Sequence, residues 1–239
     1  MKNIHELEDD LRERWLKSYP DDERKAFCFD GLCYNGEIYN DGKNAHQGNE
    51  EKLWNNTDRR ILFLMKDTNN NSDSDYREWH WRNINHNFFN CIFKWLEGLS
   101  RISKDFIPTM ENGDYATVPN AVVTKYPLAI VNIKKISGTS FVSNKTLYEY
   151  ANRDKAFLQE QIRGILHPNI IVCGGGKGTV LNIAKNIIYE DESFREINYF
   201  CHYSRKLNIL LIDSFHPSAR INSYWKIEDM MLKVNEFIL

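Results

Sequence analysis

The chain has 239 residues, 42% of them hydrophobic, and a formal net charge of −2 at pH 7. That length buries one sizeable core, and a charged content of 27% argues against disorder. The near-neutral balance excludes a protein bound to phosphate over its whole surface and leaves room for a local basic face.

No apolar run approaches the ~18 residues that a membrane span needs. The opening MKNIHELEDDLRERWLKSYPDDE is highly charged and has no apolar signal core, so the expectation is a cytoplasmic monomer that meets no membrane. The five cysteines, Cys28, Cys33, Cys91, Cys173 and Cys201, are odd in number and irregularly spaced, as suits reduced, buried thiols. Cys28 and Cys33 have no second pair nearby to complete a zinc or iron–sulfur site, and no metal or cofactor is expected.

In chain order, Leu7, Leu11, Trp15 and Leu16 place an amphipathic helix over 5–18. A short strand is expected at Ala26–Phe29, then a polar loop from Asn35 to Thr57 with one short helix around Glu50–Trp54. ILFLM at 61–65 reads as a buried strand and NNNSDSD at 69–75 as a loop. A long helix is expected from about Glu78 to Leu99, a short one near 102–110, and an extended piece near Ala121–Thr124. LAIV at 128–131 is the second strand, followed by a helix from about Lys145 to Leu166 that ends at His167-Pro168. IIVC at 170–173 runs into a glycine turn and a helix from about Lys177 to Tyr189. An extra strand near 197–203, ILLI at 209–212 and a closing helix over about 222–238 complete the chain. Alternating strands and helices, with no repeat and no dividing linker, indicate an α/β three-layer sandwich whose central, mostly parallel sheet has about four strands. Residues 1–239 read as one domain, with 1–55 as an N-terminal extension packed on it.

Each apolar strand is followed by chemistry. Asp67 follows the first, Asn132 the second, Gly174-Gly175-Gly176-Lys177 the third, and His216-Pro217-Ser218 the fourth. Singly, these are an N-cap acid, a turn-forming amide, a tight strand-to-helix turn and a rigid bend. Jointly they matter more, because ligands bind at the carboxyl ends of parallel strands. The glycine turn lacks the spacing of a phosphate loop. It also lacks the acidic partner of a dinucleotide fingerprint, which sets aside an enzyme with a nucleotide cofactor.

The ordered set resembles the uracil-DNA glycosylase superfamily over about residues 60–239. That family's first motif reads Gly-Gln-Asp-Pro-Tyr-His after a strand, and Met65-Lys66-Asp67-Thr68-Asn69-Asn70 keeps the aspartate. Ile130-Val131-Asn132-Ile133-Lys134-Lys135 is similar to its second strand end, IIVCGGG to its glycine turn, and His216-Pro217-Ser218 to its last motif. Asn69 stands where some members carry a thymine-excluding tyrosine, and Ala219-Arg220 replaces the Pro-Leu that enters the duplex, so uracil preference does not carry over.

The resemblance implies a strand order of 2-1-3-4 and a nucleobase-recognising protein that works on DNA in repair, by base flipping. The implied reaction is hydrolysis of the N-glycosidic bond of a damaged base without a metal. Asp67 would stabilise the sugar cation and orient water, and His216 would donate to the departing base. Asn132 would read the base edge, with Asn69, Trp79, Trp81 and Phe88 as further base contacts, although helix core is the plainer role for Phe88. Lys66, Lys134, Gly175, Lys177, Ser218 and Arg220 would meet phosphate, and Lys135 would join them in a basic rim. The alternative is a catalytically inactive module that holds a nucleotide or nucleic acid in the same pocket.

Overall fold

The structure is a computed structural model that describes residues 2–40, 42, 44–68, 74–78, 87–116, 119–138, 141–176, 178–222 and 224–238. Helix α1 (Ile4–Ser18) starts at a capping box in which the Asn3 side chain accepts from the Glu6 N–H and the Glu6 carboxylate accepts from the Asn3 N–H. Its Leu11 and Trp15 are buried. Helix α2 (Asp21–Arg24), strand β1 (Cys28–Phe29) and helix α3 (Glu50–Asn56) lead to β2 (Ile61–Asp67). Leu62 and Leu64 of β2 enter one core while Ile61, Phe63 and Met65 enter another, so this strand is covered on both faces.

After β3 (Ser74–Asp75), helix α4 (Asn87–Arg101) presses Ile92, Trp95 and Leu99 onto the second core. Residues 76–78 form a turn, so the long helix begins later than its apolar spacing suggests; 79–86 lie outside the described residues. No helix forms at 102–110, where Ser103 and Phe106 exchange backbone hydrogen bonds of 2.9 and 3.3 Å in a tight turn. The piece expected to be extended at 121–124 belongs to helix α5 (Pro119–Val123), because Pro119 suits a first helical turn and Val122 and Val123 pack on the second core.

Strand β4 (Ala129–Lys134) is followed by α6 (Asn144–Arg153), capped by Ser143, and by α7 (Lys155–Gln159), which continues as a π-helical turn over Glu160–Leu166. His167 ends it in the left-handed region at φ 46°. Strand β5 (Ile170–Gly174) leads into α8 (Thr179–Ile183) and a π-helical turn at Ala184–Ile188. Then come β6 (Arg195–Glu196), β7 (Cys201–Ser204) and β8 (Ile209–Ser214), and a π-helical turn at Tyr224–Glu228 enters α9 (Asp229–Ile238).

The main sheet runs β4-β2-β5-β8-β7-β6. Its β4, β2, β5 and β8 are parallel, in the 2-1-3-4 order expected for the four apolar strands. The sheet has six strands and is mixed, rather than the four expected, because β7 returns antiparallel beside β8 and carries β6 with it. Helices cover both faces. No helix among the described residues is long and apolar enough to cross a membrane. All five cysteines are buried and none is in a disulfide.

The N-terminal residues are built into this architecture. Residues 27–32 line the outer edge of β4 through Cys28 N–H to Lys135 O at 2.7 Å and Ile130 N–H to Gly31 O at 3.0 Å. A Cβ on Gly31 would sit 1.9 Å from Glu8 Oε1, so a larger residue there would have to displace that carboxylate. Glu8 itself is fully buried, 3.6 Å from Arg77, which lies against the rings of Phe29 and Tyr34 and pairs with Asp9 and Asp75 at 2.6 Å. Burial raises the Glu8 carboxyl to about 7 against the opposing pull of Arg77. The folded protein therefore binds a proton that the unfolded chain releases between about 4.5 and 7, and stability falls as pH rises through that window. Urea unfolding of Glu8→Gln across this range should show a shallower fall than wild type; an unchanged slope would mean that Glu8 is already ionised at its lower end.

Candidate active site at the carboxyl edge of the sheet

Because β4, β2, β5 and β8 are parallel, their carboxyl ends share one edge. The strands run past their apolar runs, since backbone pairing continues where the side chains turn polar. Asp67 is thus the last residue of β2, paired in register with Lys134, and Asn132 lies inside β4 opposite Met65. At β5 and β8, Gly174 is opposite Ser214 and Cys173 opposite Asp213. Read across the edge, the order is Asn132 and Lys134, then Lys66 and Asp67, then Gly174 and Gly175, then Asp213 and the loop to His216. Neighbouring strands are ~4.8 Å apart, so the ends of β2 and β8, with β5 between them, stand about 10 Å apart.

The Asp67 side chain is 13% exposed, with Lys134 Nζ 3.7 Å from its Oδ2. That is an ion pair too long for a hydrogen bond, and Oδ2 accepts none. Gly138 closes over the pair; a Cβ there would lie 2.9 Å from Asp67 Oδ2 and 3.0 Å from Lys134 Nζ. Burial pushes the Asp67 carboxyl up while Lys134 and Lys66 oppose it, and burial pushes Lys134 down. Lys134 also donates to the Ile136 carbonyl and sits over the Tyr150 ring.

Lys134, expected at phosphate, is therefore buried and held by a carboxylate. Lys135, expected in a basic rim, is fully buried against Asp30. Asn132 is 8% exposed, and its Nδ2 and backbone N–H both donate to Asp30 Oδ2, at 2.8 and 3.0 Å.

His216 is half-buried on the loop after β8. Its Nδ1 accepts the Ser218 N–H at 3.2 Å. A backbone N–H can only donate, so Nδ1 carries no proton and the neutral ring presents Nε2–H as a donor. Burial pushes its pKa down, and Lys66 and Lys226 push the same way. Buried Lys226 fastens the loop by donating to the carbonyls of Pro217 at 3.1 Å and Ala219 at 2.9 Å. Phe88, at the start of α4, places its ring centroid 5.7 Å from that of His216.

The glycine turn is tight and inward-bonded. Gly175 N–H donates to Cys173 O at 3.0 Å and Gly176 N–H to Ser214 O at 2.9 Å. Those amides face strands rather than a phosphate. A Cβ at Gly175 would meet Val180 at 2.4 Å and Lys66 Cε at 3.3 Å, so the Lys66 stem lies across the turn. Ser218 and Arg220 are exposed. Asn69, Trp79, Trp81 and Lys177 lie outside the described residues.

Three contributors escaped the sequence. Lys226 reads as a solvated lysine of an amphipathic helix and gave no signal. Asp30 is 102 positions from Asn132. Asp213 follows a buried strand just as Asp67 does, so its position carries the same signal; burial raises its carboxyl to about 6 with only the Gly178 N–H opposing.

No family model matches the chain, and no curated protein matches it.

Imidazole nitrogen shifts in solution should show His216 as the neutral Nε2–H tautomer at pH 7, with its titration below the ordinary 6.5. Lys66→Ala removes a repelling charge and should move that titration upward; an unchanged titration would place Lys66 away from the ring.

Proposed function

We propose that the protein recognises a nucleobase at this edge and hydrolyses its N-glycosidic bond, in the manner of uracil-DNA glycosylases acting on damaged DNA. The observation that carries the reading is the pairing of a half-buried carboxylate, Asp67, with a neutral imidazole donor, His216, at two strand ends of one edge. Bond cleavage builds positive charge on the sugar and negative charge on the base. A carboxylate on one side and a fixed N–H donor on the other answer those two charges. Phe88, beside His216, is the ring placed to stack on the base. Exposed Arg220 and half-buried Lys66 are the described cations left for phosphate once Lys134 and Lys135 are committed to carboxylates.

A second reading, a binding module without turnover, is favoured by two contacts. Lys134 already compensates Asp67, and Asp30 already holds the Asn132 amide.

A panel of oligonucleotides carrying damaged bases separates the two readings. In the glycosylase reading wild type releases at least one base. Asp67→Asn then loses most of the rate while keeping binding, since the lost charge acts on the transition state. His216→Ala loses ~10²–10³ in rate, the usual cost of one donor to a developing anion. Wild-type protein that binds the panel yet releases no base establishes the binding module instead.

A further inference from the structure

Among the described residues, Lys134 and Lys66 act electrostatically on Asp67, and Lys66 and Lys226 on His216. Two of these three lysines are spent. Lys134 is buried, pairs with Asp67 and donates to the Ile136 carbonyl. Lys226 is buried and donates to the carbonyls of Pro217 and Ala219. Lys66 is half-buried, and among the described residues it makes no hydrogen bond and no ion pair. It is also the one lysine of the three that acts on both Asp67 and His216.

Its position follows from the sheet. Lys66 precedes Asp67 on β2, and its stem crosses toward β5, where a Cβ on Gly175 would stand 3.3 Å from Lys66 Cε. β5 lies between β2 and β8. The amine therefore stands over the strand that separates Asp67 from the loop of His216. A nucleoside with its sugar at Asp67 and its base toward His216 spans the same gap. The carboxylate that answers the sugar cation faces C1′, and the uncommitted amine beside it faces the same carbon.

We propose that Lys66 is an amine nucleophile toward an abasic sugar, which gives the protein a lyase activity that cuts DNA where a base has been lost. The proposal rests on the glycosylase reading, since it takes that reaction's product at the same edge. An abasic deoxyribose opens to an aldehyde at C1′. The Lys66 ammonium passes a proton to the Asp67 carboxylate, and its nitrogen bonds to C1′ to give a carbinolamine. Asp67 returns the proton to the carbinolamine oxygen, water leaves, and an iminium remains. Asp67 then takes a proton from C2′, the C3′–O bond breaks, and the phosphate leaves with the electron pair as the end of the downstream strand. Water hydrolyses the unsaturated iminium to an aldehyde and the Lys66 ammonium, and Asp67 gives its proton to solvent. No oxidant, reductant or metal enters the balance.

The test incubates the full chain with an oligonucleotide carrying one preformed abasic site, with and without sodium cyanoborohydride, which reduces an iminium to a stable amine. Wild type should cut the strand without the reductant and form a covalent protein–DNA species with it, and peptide mass spectrometry should place the adduct on Lys66. Lys66→Arg keeps the positive charge that a phosphate contact needs but has no primary amine. It should still bind the oligonucleotide, lose the covalent species and cut the strand ~10²-fold more slowly or worse, as loss of a covalent nucleophile does. No covalent species from wild type, an adduct on another residue, or trapping and cutting that persist in Lys66→Arg would each overturn the proposal. The preformed site needs no base release, so the two readings fail separately. Base release from the damaged-base panel without trapping sinks the lyase alone, and trapping without base release sinks the glycosylase alone.

Discussion

Asp30 sits at 1% exposure between the N-terminal segment, β4 and the π-helical turn at Glu160–Leu166, and the geometry of the edge depends on it. One of its oxygens takes the Lys135 ammonium, the other takes two donors from Asn132, and its backbone carbonyl takes Gln161 Nε2. Gln161 in turn meets Lys135 and Glu8, so α1 is joined to the same network. Burial raises the Asp30 carboxyl, with Lys135 opposing, which marks a group that desolvation penalises and a partner retains. Such a pair adds little net stability over an apolar substitute, but removing one partner strands a buried charge at a cost of ~3–5 kcal/mol. Its effect here is positional. With Lys135 turned to Asp30, its neighbour Lys134 turns to Asp67, and two adjacent lysines are divided between two carboxylates on opposite sides of β4.

That division explains what the sequence revealed and what it hid. The four apolar strands and the shared edge were legible, because a run such as ILFLM or IIVC has few fates other than a buried strand, and each run ends in a turn or a polar residue; their order was implied only by the resemblance of the motifs. Asp67 and His216 each follow such a run, so their place beside that edge was legible for the same reason. The direction of charge was not legible. Lys134-Lys135 looks like a basic patch, and only the partners from residues 30 and 67 convert it to buried, neutralised pairs. The extra strand expected near 197–203 forms as β7, whereas the two exposed residues of β6 carry no apolar signal. At 121–124, β-branched valines suggested an extended chain, and tertiary packing behind Pro119 made a helix.

Charge at the edge is consequently sparse and ordered. Lys66 is half-buried over the glycine turn, where it repels a proton from His216 and stabilises Asp67 as an anion. Lys226 does two jobs from below: it fixes the His-Pro-Ser loop through two carbonyls and adds to the pressure that keeps His216 neutral. A neutral imidazole whose Nδ1 is already satisfied can only donate through Nε2. That state suits a developing anion, and it needs no proton transfer before the ring can act.

The same logic sets apart the two acids of the edge. Asp67 and Asp213 each close a parallel strand, and burial raises both. Two lysines oppose the rise at Asp67, whereas a single backbone N–H opposes it at Asp213, whose carboxyl reaches about 6. Environments that hold one carboxylate as an ion-paired anion and leave the other short of donors give them different work. Asp67 has the charge to meet a cation that forms during a reaction. Asp213 carries one oxygen that is buried without a hydrogen-bond partner, at a strand end that also bears the Ser214 hydroxyl. The glycine turn separates the two. Its N–H groups at Gly175 and Gly176 bond to the Cys173 and Ser214 carbonyls, closing the turn onto β5 and β8 rather than cradling a phosphate.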